Sequence, residues 1–352
     1  MTTSFVDAIA YGKQLPITDR RASFMLQEIE QKTLLMLRIL QEARQPVGAR
    51  LIARQMSDSG VHLSERAVRY HLKLMDERGL TQLIGRRDGR IITEAGNEEL
   101  DNARVHDKIG LAISRIESLA FQTTFHPGSR EGFLPVNISL FRESRFATAK
   151  AAMRPAFAAG MAVSNLVAVA NAGQRLGNVL VPAGMVGLAT VCSIVINGVL
   201  LKNGVPMDSK FGGILQIKNG KPMRFVEVIY YSGSSLDPSE TFIRGGMTSV
   251  LSAVEQGEGK ILANFREIPA LSLGLVLSLI DDLKRAGIDG MISRGMISEP
   301  ICQIPVDMNK VGMILRGGLN PVACAQETGI EAENRAMSTV MAYSDLKPFD
   351  ET

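Results

Sequence analysis

Tryptophan is missing from the 352 residues, and aromatic side chains of all kinds make up only 5% of them. Cysteine occurs three times, at Cys192, Cys302 and Cys324, with no CxxC pair, and histidine only four times. That argues against a disulfide framework and a structural zinc site. Neither sign of charge dominates, with 39 Lys and Arg against 36 Asp and Glu, and 45% hydrophobic residues is ordinary for a folded chain. The first residues carry Asp7 and no long apolar core, so they do not read as a signal peptide, and a cytoplasmic location is expected. From Leu176 to Leu201 there is no charge at all, a length that can span a bilayer. Gly177, Asn178, Pro182, Gly184, Gly187, Asn197 and Gly198 break it into short apolar pieces, which suits buried strands joined by turns and then a helix. No membrane contact is expected.

What charge asymmetry exists lies near the front, where residues 28–92 hold 12 Lys and Arg against 8 Asp and Glu. Apolar positions at Ile29, Thr33, Leu34, Leu37 and Leu40 predict a helix over Glu28–Gln41. A second helix is predicted from Pro46 and Val47 through Met56, with Leu51, Ile52 and Met56 inward. Ser64 is placed to cap a third, Glu65 to Arg78, with Val68, Leu72 and Met75 as its buried stripe. Arg66, Arg69, Tyr70 and Lys73 share its other side, and His71 reads as a packed residue beside the stripe. Two short β runs around Gly-Arg-Arg-Asp-Gly follow. Three helices and a basic hairpin is the winged helix-turn-helix plan, with the third helix in the major groove. Arg86, Arg87 and Arg90 would ride the backbone or the minor groove. The plainer reading is a protein-binding module with a solvated face; basic residues on both groove-facing elements favour DNA.

An amphipathic helix with Val105, Ile109, Ala112, Ile113 and Ile116 follows, placed to carry the reader or to pair with its copy. Beyond Phe125 the chain repeats itself. LFRE at Leu140–Glu143 recurs as NFRE at Asn264–Glu267, an offset of 124, and VPAGMVG at Val181–Gly187 recurs as IPVDMNKVG at Ile304–Gly312. Asn203-Gly204-Val205 lines up with Thr328-Gly329-Ile330. Between the copies lies an insert with a hairpin around Asn219-Gly220 and a helix that Asp237 caps, Pro238 leading and Glu240 reaching back. The predicted organisation is a tail over 1–27, a winged helix over 28–100, a connecting helix over 101–124 and a regulatory domain over 125–352. Its halves run about 134–204 and 258–330, with the insert at 205–253. The fold class is α/β (α+β) with internal duplication, behind an α-rich winged helix.

Two related halves imply a shared cleft. Thr190-Val191-Cys192-Ser193 and Leu315-Arg316-Gly317-Gly318 end equivalent strands and begin helices, whose free N–H groups are anion seats. Two such seats suit a small dicarboxylate, with Arg316 as a forked donor and Thr190, Ser193 and Asn320 as neutral ones. The competing reading is that these glycines only allow tight turns. Cys192 at a helix start invites a nucleophile, but no histidine lies past His126, so a packed or ligand-lining thiol is expected. Lys210-Phe211-Gly212-Gly213 lacks the Walker spacing of a phosphate loop.

The runs VPAGMVGLATVCSIVINGVLLKNGVPMDSKFGGILQI, GSSLDPSETFIRGGMTSV and GMILRGGLNPVACAQETGI resemble the regulatory domain of the NrpR nitrogen repressor family, and the front module resembles the winged helix placed before it. The resemblance implies a homodimeric repressor of nitrogen-assimilation genes, bound to a double-stranded DNA operator and released by 2-oxoglutarate, with no catalytic cofactor or metal. It implies an effector site drawn from Thr190, Cys192 and Ser193; Lys210, Phe211, Gly212 and Gly213; Gly246, Met247, Thr248 and Ser249; and Arg316, Gly317, Gly318 and Asn320. The family's familiar members carry two regulatory domains in tandem, and this chain has length for one. Two other classes stay open: an enzyme acting on a small keto or amino acid with a regulatory winged helix, and a winged-helix protein adaptor.

Overall fold

The computed structural model describes residues 20–43, 45–85, 88–102 and 110–352, with side chains described within 32–43, 45–85, 88–100 and 110–352. The chain divides into two compact units, 1–107 and 108–352.

The first unit packs α1 (Arg20–Ala43), α2 (Ala49–Asp58), α3 (Glu65–Glu77) and α4 (Glu94–Asn102) around a hairpin of β1 (Thr81–Gly85) and β2 (Gly89–Ile92). Thr33, Leu37 and Leu40 are buried along α1, as the spacing predicts, Leu34 is only half-buried, Met36 joins the buried face unanticipated, and the side chain of Ile29 lies outside the described residues. In α2 the expected inward set is corrected. Ile52 and Met56 are fully buried, but Leu51 is 45% exposed, because residues 52 and 56 fix the inward face and 51 is turned about 100° away from it. Ser64 caps α3 as expected, its Oγ accepting from Ala67 N at 3.2 Å, and Val68, Leu72 and Met75 are buried. Val47 adds a bridge to Arg90 beside the hairpin, so the wing is tied to the segment before α2.

In the second unit Gly110, at φ 83°, opens α5 (Leu111–Gln122). Val105 and Ile109 of the predicted connecting helix lie outside the described residues. Ala112, Ile116, Leu119 and Ala120 are buried in the core of this unit, so the described part of that helix is a component of the regulatory fold. Two five-stranded antiparallel sheets follow. The repeats are β3 (Phe133–Arg142), α6 (Glu143–Ala158), β4 (Leu166–Asn171), β7 (Met185–Val191), α7 (Ile194–Lys202) and β8 (Asp208–Lys218), then β10 (Gly259–Pro269), α10 (Leu273–Arg285), β11 (Met291–Ile297), β12 (Lys310–Arg316), α11 (Asn320–Glu327) and β13 (Glu333–Ala342). The small hairpin of β5 (Arg175–Leu176) and β6 (Val179–Leu180) sits inside the first repeat. The segment added between the repeats carries β9 (Lys221–Tyr230), α8 (Pro238–Arg244) and α9 (Val250–Gln256), and β14 (Lys347–Pro348) closes the outer edge of β4.

Strand order is β13-β3-β7-β4-β14 in one sheet and β11-β12-β10-β8-β9 in the other. Four strands of each correspond under exchange of the repeats, and each repeat lends its last strand, β8 or β13, to the other's sheet. The repeat therefore includes β8, which the sequence strings leave in the insert. One string match is also corrected. Cys192 N bonds Pro135 O and Gly317 N bonds Leu262 O, while Glu143 N bonds Gly184 O and Ala270 N bonds Asn309 O. These pairs hold β7 and β12 at the expected offset of 125 but set β3 and β10 at 127. LFRE and NFRE are thus three residues out of structural register: Asn137 corresponds to Asn264, and Ser139 to Arg266.

The uncharged stretch becomes β5 to β7 and α7, as expected. Residues Ile194 to Leu200 are all buried, and among the described residues no helix is long and apolar enough to cross a membrane. Helix α7 packs so tightly that a Cβ on Gly198 would overlap the side chain of Thr123, which is fully buried with its hydroxyl donating to Leu119 O at 2.8 Å. Gly198→Ala is expected to cost about 2 kcal/mol by overpacking, read in a thermal melt as a Tm lowered by roughly 4–8 °C; an unchanged Tm would show that α7 and Thr123 part freely.

Candidate functional site

On the first unit, α3 presents Arg66, Arg69, Tyr70 and Lys73 exposed on one side, opposite its buried stripe. Arg69 pairs along the helix with Glu65, and Lys73 lies 3.7 Å from Glu77. Such exposed pairs hold a side chain weakly, so both cations remain accessible to a polyanion. Arg90 differs. Its Nε donates to Asp76 Oδ2 at 2.8 Å, and Thr81 donates to the other oxygen, which pins the wing to α3. Arg86 and Arg87 lie outside the described residues. His71 is half-buried against Tyr70, and burial, aided by Lys32, pulls its pKa below the ordinary histidine value.

In the second unit the starts of α7 and α11 do converge. Cys192, Ser193 and Ile194 from one and Gly318 and Leu319 from the other line a cavity of about 20 Å³, room for a single water. Asn137, Asn264 and Arg266 from the paired strands complete it, with Tyr231, Asp237 and Ser239 from the segment between the repeats and Ala336 and Met337 from β13. The corresponding asparagines organise the floor. Asn264 takes the Tyr231 hydroxyl at 2.6 Å and donates to Ser193 Oγ at 3.1 Å, while Asn137 donates to Thr190 Oγ1 at 3.4 Å and takes Met337 N at 3.0 Å.

Arg266 supplies the charge. It is 1% exposed, its guanidinium lies 4.8 Å from the Tyr231 ring centroid, and Nη1 donates to the carbonyl of Phe265 at 3.2 Å. Its Nε has no partner, and among the described residues no carboxylate pairs with it. A buried cation left uncompensated costs on the order of several kcal/mol; an anion in the cavity removes that cost. Burial pushes the Tyr231 hydroxyl and the Cys192 thiol each up to about 12 and raises Asp237 as well. Cys192 is therefore a thiol near neutrality, as a lining residue and not a nucleophile would be.

The other anticipated residues lie apart from the cavity. Arg316 pairs with Asp289 at 3.4 Å and donates to the carbonyls of Asp289 and Met291. Asn320 is fully buried, its Oδ1 accepting from Leu262 N and its Nδ2 donating to Met161 O and Leu262 O. Gly317 sits where a Cβ would strike Leu262. Lys210-Phe211-Gly212-Gly213 is the middle of strand β8 and not a turn. Lys210 joins Lys310, Asp208, Asp307 and buried Glu267 in an ion-pair cluster, in which burial lowers the Lys210 pKa but the carboxylates outweigh it and hold it high. Phe211 stacks on Phe265, and Gly212 and Gly213 make room for Pro238 and Phe225. Gly246 turns the chain at φ 62°, Met247 and Thr248 follow, and Ser249 Oγ accepts from Lys260 N. The shared Phe-Arg-Glu string sets Arg266 against Arg142 and so hides it; an Arg beside Glu267 within the otherwise mostly apolar strand β10 is the available signal.

A winged helix precedes a duplicated domain whose two halves meet at a cavity lined by the buried Arg266: this is the build of a regulator. Residues 109–348 match the family described as NrpR regulatory domains NRD1 and 2, and residues 34–100 match the ribonuclease R winged-helix domain. The chain is 40% identical over 320 residues to the global nitrogen regulator NrpRI of Methanosarcina mazei, covering 91% of this chain and 98% of that one. It is 34% identical to the global nitrogen regulator NrpR of Methanococcus maripaludis over 88% of this chain, spanning 54% of that relative's length. The solved nitrogen repressor-like protein from Methanococcus jannaschii superposes with a TM-score of 0.57 at 26% identity, over 68% of this chain and 98% of that one. The chain belongs to the NrpR family.

Glu240, just behind the cavity wall, accepts from Ala336 N at 2.6 Å, so it does not close the capping box expected of it, although Asp237 does cap α8. Burial, then the charge of Asp237, pushes Glu240 from 4.5 up to about 7. A carboxyl raised on folding contributes stability that is complete below about 4.5 and is lost as pH rises through about 7. Between pH 5 and pH 8 the Tm is expected to fall, and Glu240→Gln, which keeps the acceptor, should flatten the fall; equal slopes in both proteins would remove Glu240 as its source.

Proposed function

We propose that this protein is a transcriptional regulator of nitrogen-assimilation genes: a homodimeric repressor whose winged helices hold operator DNA and which 2-oxoglutarate releases. The single observation that carries the reading is Arg266, a buried guanidinium without a counter-ion at the joint start of two helices. A carboxylate at that point receives a forked charge-assisted bond together with helix-end N–H groups. Asp237 shares the cavity, and burial raises its pKa above the ordinary carboxylate value. The thiol state of Cys192 counts against the enzyme reading. The names of the relatives, global nitrogen regulators, support the target genes.

At 20 Å³ the cavity has to widen to admit a five-carbon diacid. Ligand and operator would then prefer different states of the regulatory unit, and the ligand shifts the balance by its differential affinity for them. Two readers in a dimer would address half-sites about one helical turn, or a multiple of it, apart.

Calorimetric titration with 2-oxoglutarate, with succinate and glutamate as comparisons, should show saturable binding of the oxo acid, weakened by about tenfold or more in Arg266→Gln. Binding unaffected by that change would take Arg266 out of the site. Arg69→Ala and Lys73→Ala should each weaken duplex binding, with a salt slope shallower by about one for each phosphate no longer neutralised, and should leave 2-oxoglutarate binding as it was. DNA affinity indifferent to salt would instead mark the front unit as a protein adaptor.

A further inference from the structure

The cavity wall formed by Ala336 and Met337 is a break in the β13–β3 ladder. Register passes from Arg335 opposite Ile138 to Thr339 opposite Val136, so β13 uses two residues more than β3 over the same span. Met337 stands at φ 49°, in the left-handed region, where a side chain costs about 1–3 kcal/mol and persists only if its surroundings hold it there. Those surroundings are side chains. Ala336 N donates to Glu240, Met337 N donates to Asn137, and the carbonyls of Met337 and Ser338 accept from Arg115 Nε at 2.5 Å and Nη2 at 3.1 Å. The other walls are firmer, since Asn137, Asn264 and Arg266 stand within paired strands and the remaining lining belongs largely to helix starts.

Arg115 stands on α5, the first described element after the segment that leads from the DNA-reading unit. Its planar guanidinium spans two successive carbonyls, a geometry that a moved carbonyl breaks. We propose that Arg115 is the positioning residue that carries the state of the cavity to the linker. A diacid wide enough to part the walls displaces the strained 336–338 bulge; Arg115 loses its two carbonyls, and the tie of α5 to β13 loosens. This inference rests on the cavity's taking a dicarboxylate, as proposed above.

The test uses the full chain, 2-oxoglutarate, and a duplex enriched by the wild-type protein from random-sequence DNA. In the wild type, saturating 2-oxoglutarate is expected to lower duplex affinity about tenfold, within the range for coupled sites. Arg115→Ala should bind 2-oxoglutarate and duplex each within about threefold of wild type while its response shrinks below about twofold. Arg115→Lys, which keeps the charge without the fork, should respond to an intermediate degree. A wild-type response in Arg115→Ala overturns the proposal, as does a parallel loss of both affinities. If the wild type binds no 2-oxoglutarate, the ligand reading falls, and hydrogen exchange of the unliganded chain decides the latch. Arg115→Ala must then speed exchange about tenfold in both 336–338 and 111–116, with β10 and β12 unchanged; acceleration in one segment alone, or in neither, overturns it.

Discussion

The regulatory unit is held together by a reciprocal loan. Strand β8 follows the last helix of the first repeat yet pairs with β10 of the second, and β13 follows the last helix of the second yet pairs with β3 of the first. Neither sheet is complete without a strand from the other repeat, so the two cannot drift apart as ordinary neighbouring domains do. The exchange draws the starts of α7 and α11 to one point, places Asn137 and Asn264 across it, and encloses the polar groups between two apolar layers. The cavity is therefore a seam, made by the topology before any particular side chain is chosen.

Within that seam the two repeats have diverged in complementary ways. Where the second repeat has Arg266, the first has Ser139, which donates to Asn334 and is fully satisfied. Where the lent strand β8 has Gly212, pressed by Pro238 and Tyr231, the lent strand β13 has Met337 in a strained bulge. One side thus brings an unneutralised charge and the other a wall that yields. Symmetric halves would have supplied two charges or two yielding walls.

Much of this was legible from residue order. The winged helix followed from helical spacing and from Ser64, the uncharged stretch from its glycines and proline, and the β8–β9 turn from Asn219-Gly220, both at positive φ. The converging helix starts followed from the duplication. What escaped depended on register and on distant partners. A shared Phe-Arg-Glu suggested an alignment three residues from the one that backbone bonds impose, and it hid Arg266. Arg316 and Asn320 carry the right chemistry, but Asp289 and Leu262, remote in sequence, already engage them. Lys210-Phe211-Gly212-Gly213 looks like a turn because of its glycines, whereas close packing against Pro238 and Phe225 is what demands them.

The loan of β13 also orders events in time. Asn137 waits for Met337, 200 residues downstream, before its side chain is satisfied, and β3 lacks its outer neighbour until then. During synthesis the first repeat must carry its largely apolar helix α7 and an open sheet edge through the making of the entire second repeat. Long-range pairing of this kind slows folding and leaves sticky surface exposed. A nascent chain stalled between β8 and β13 is therefore a natural client for a chaperone at the ribosome, whereas the winged helix ahead of it, whose core among the described residues is built from 36–100 and those packed beside them, can fold as soon as it emerges.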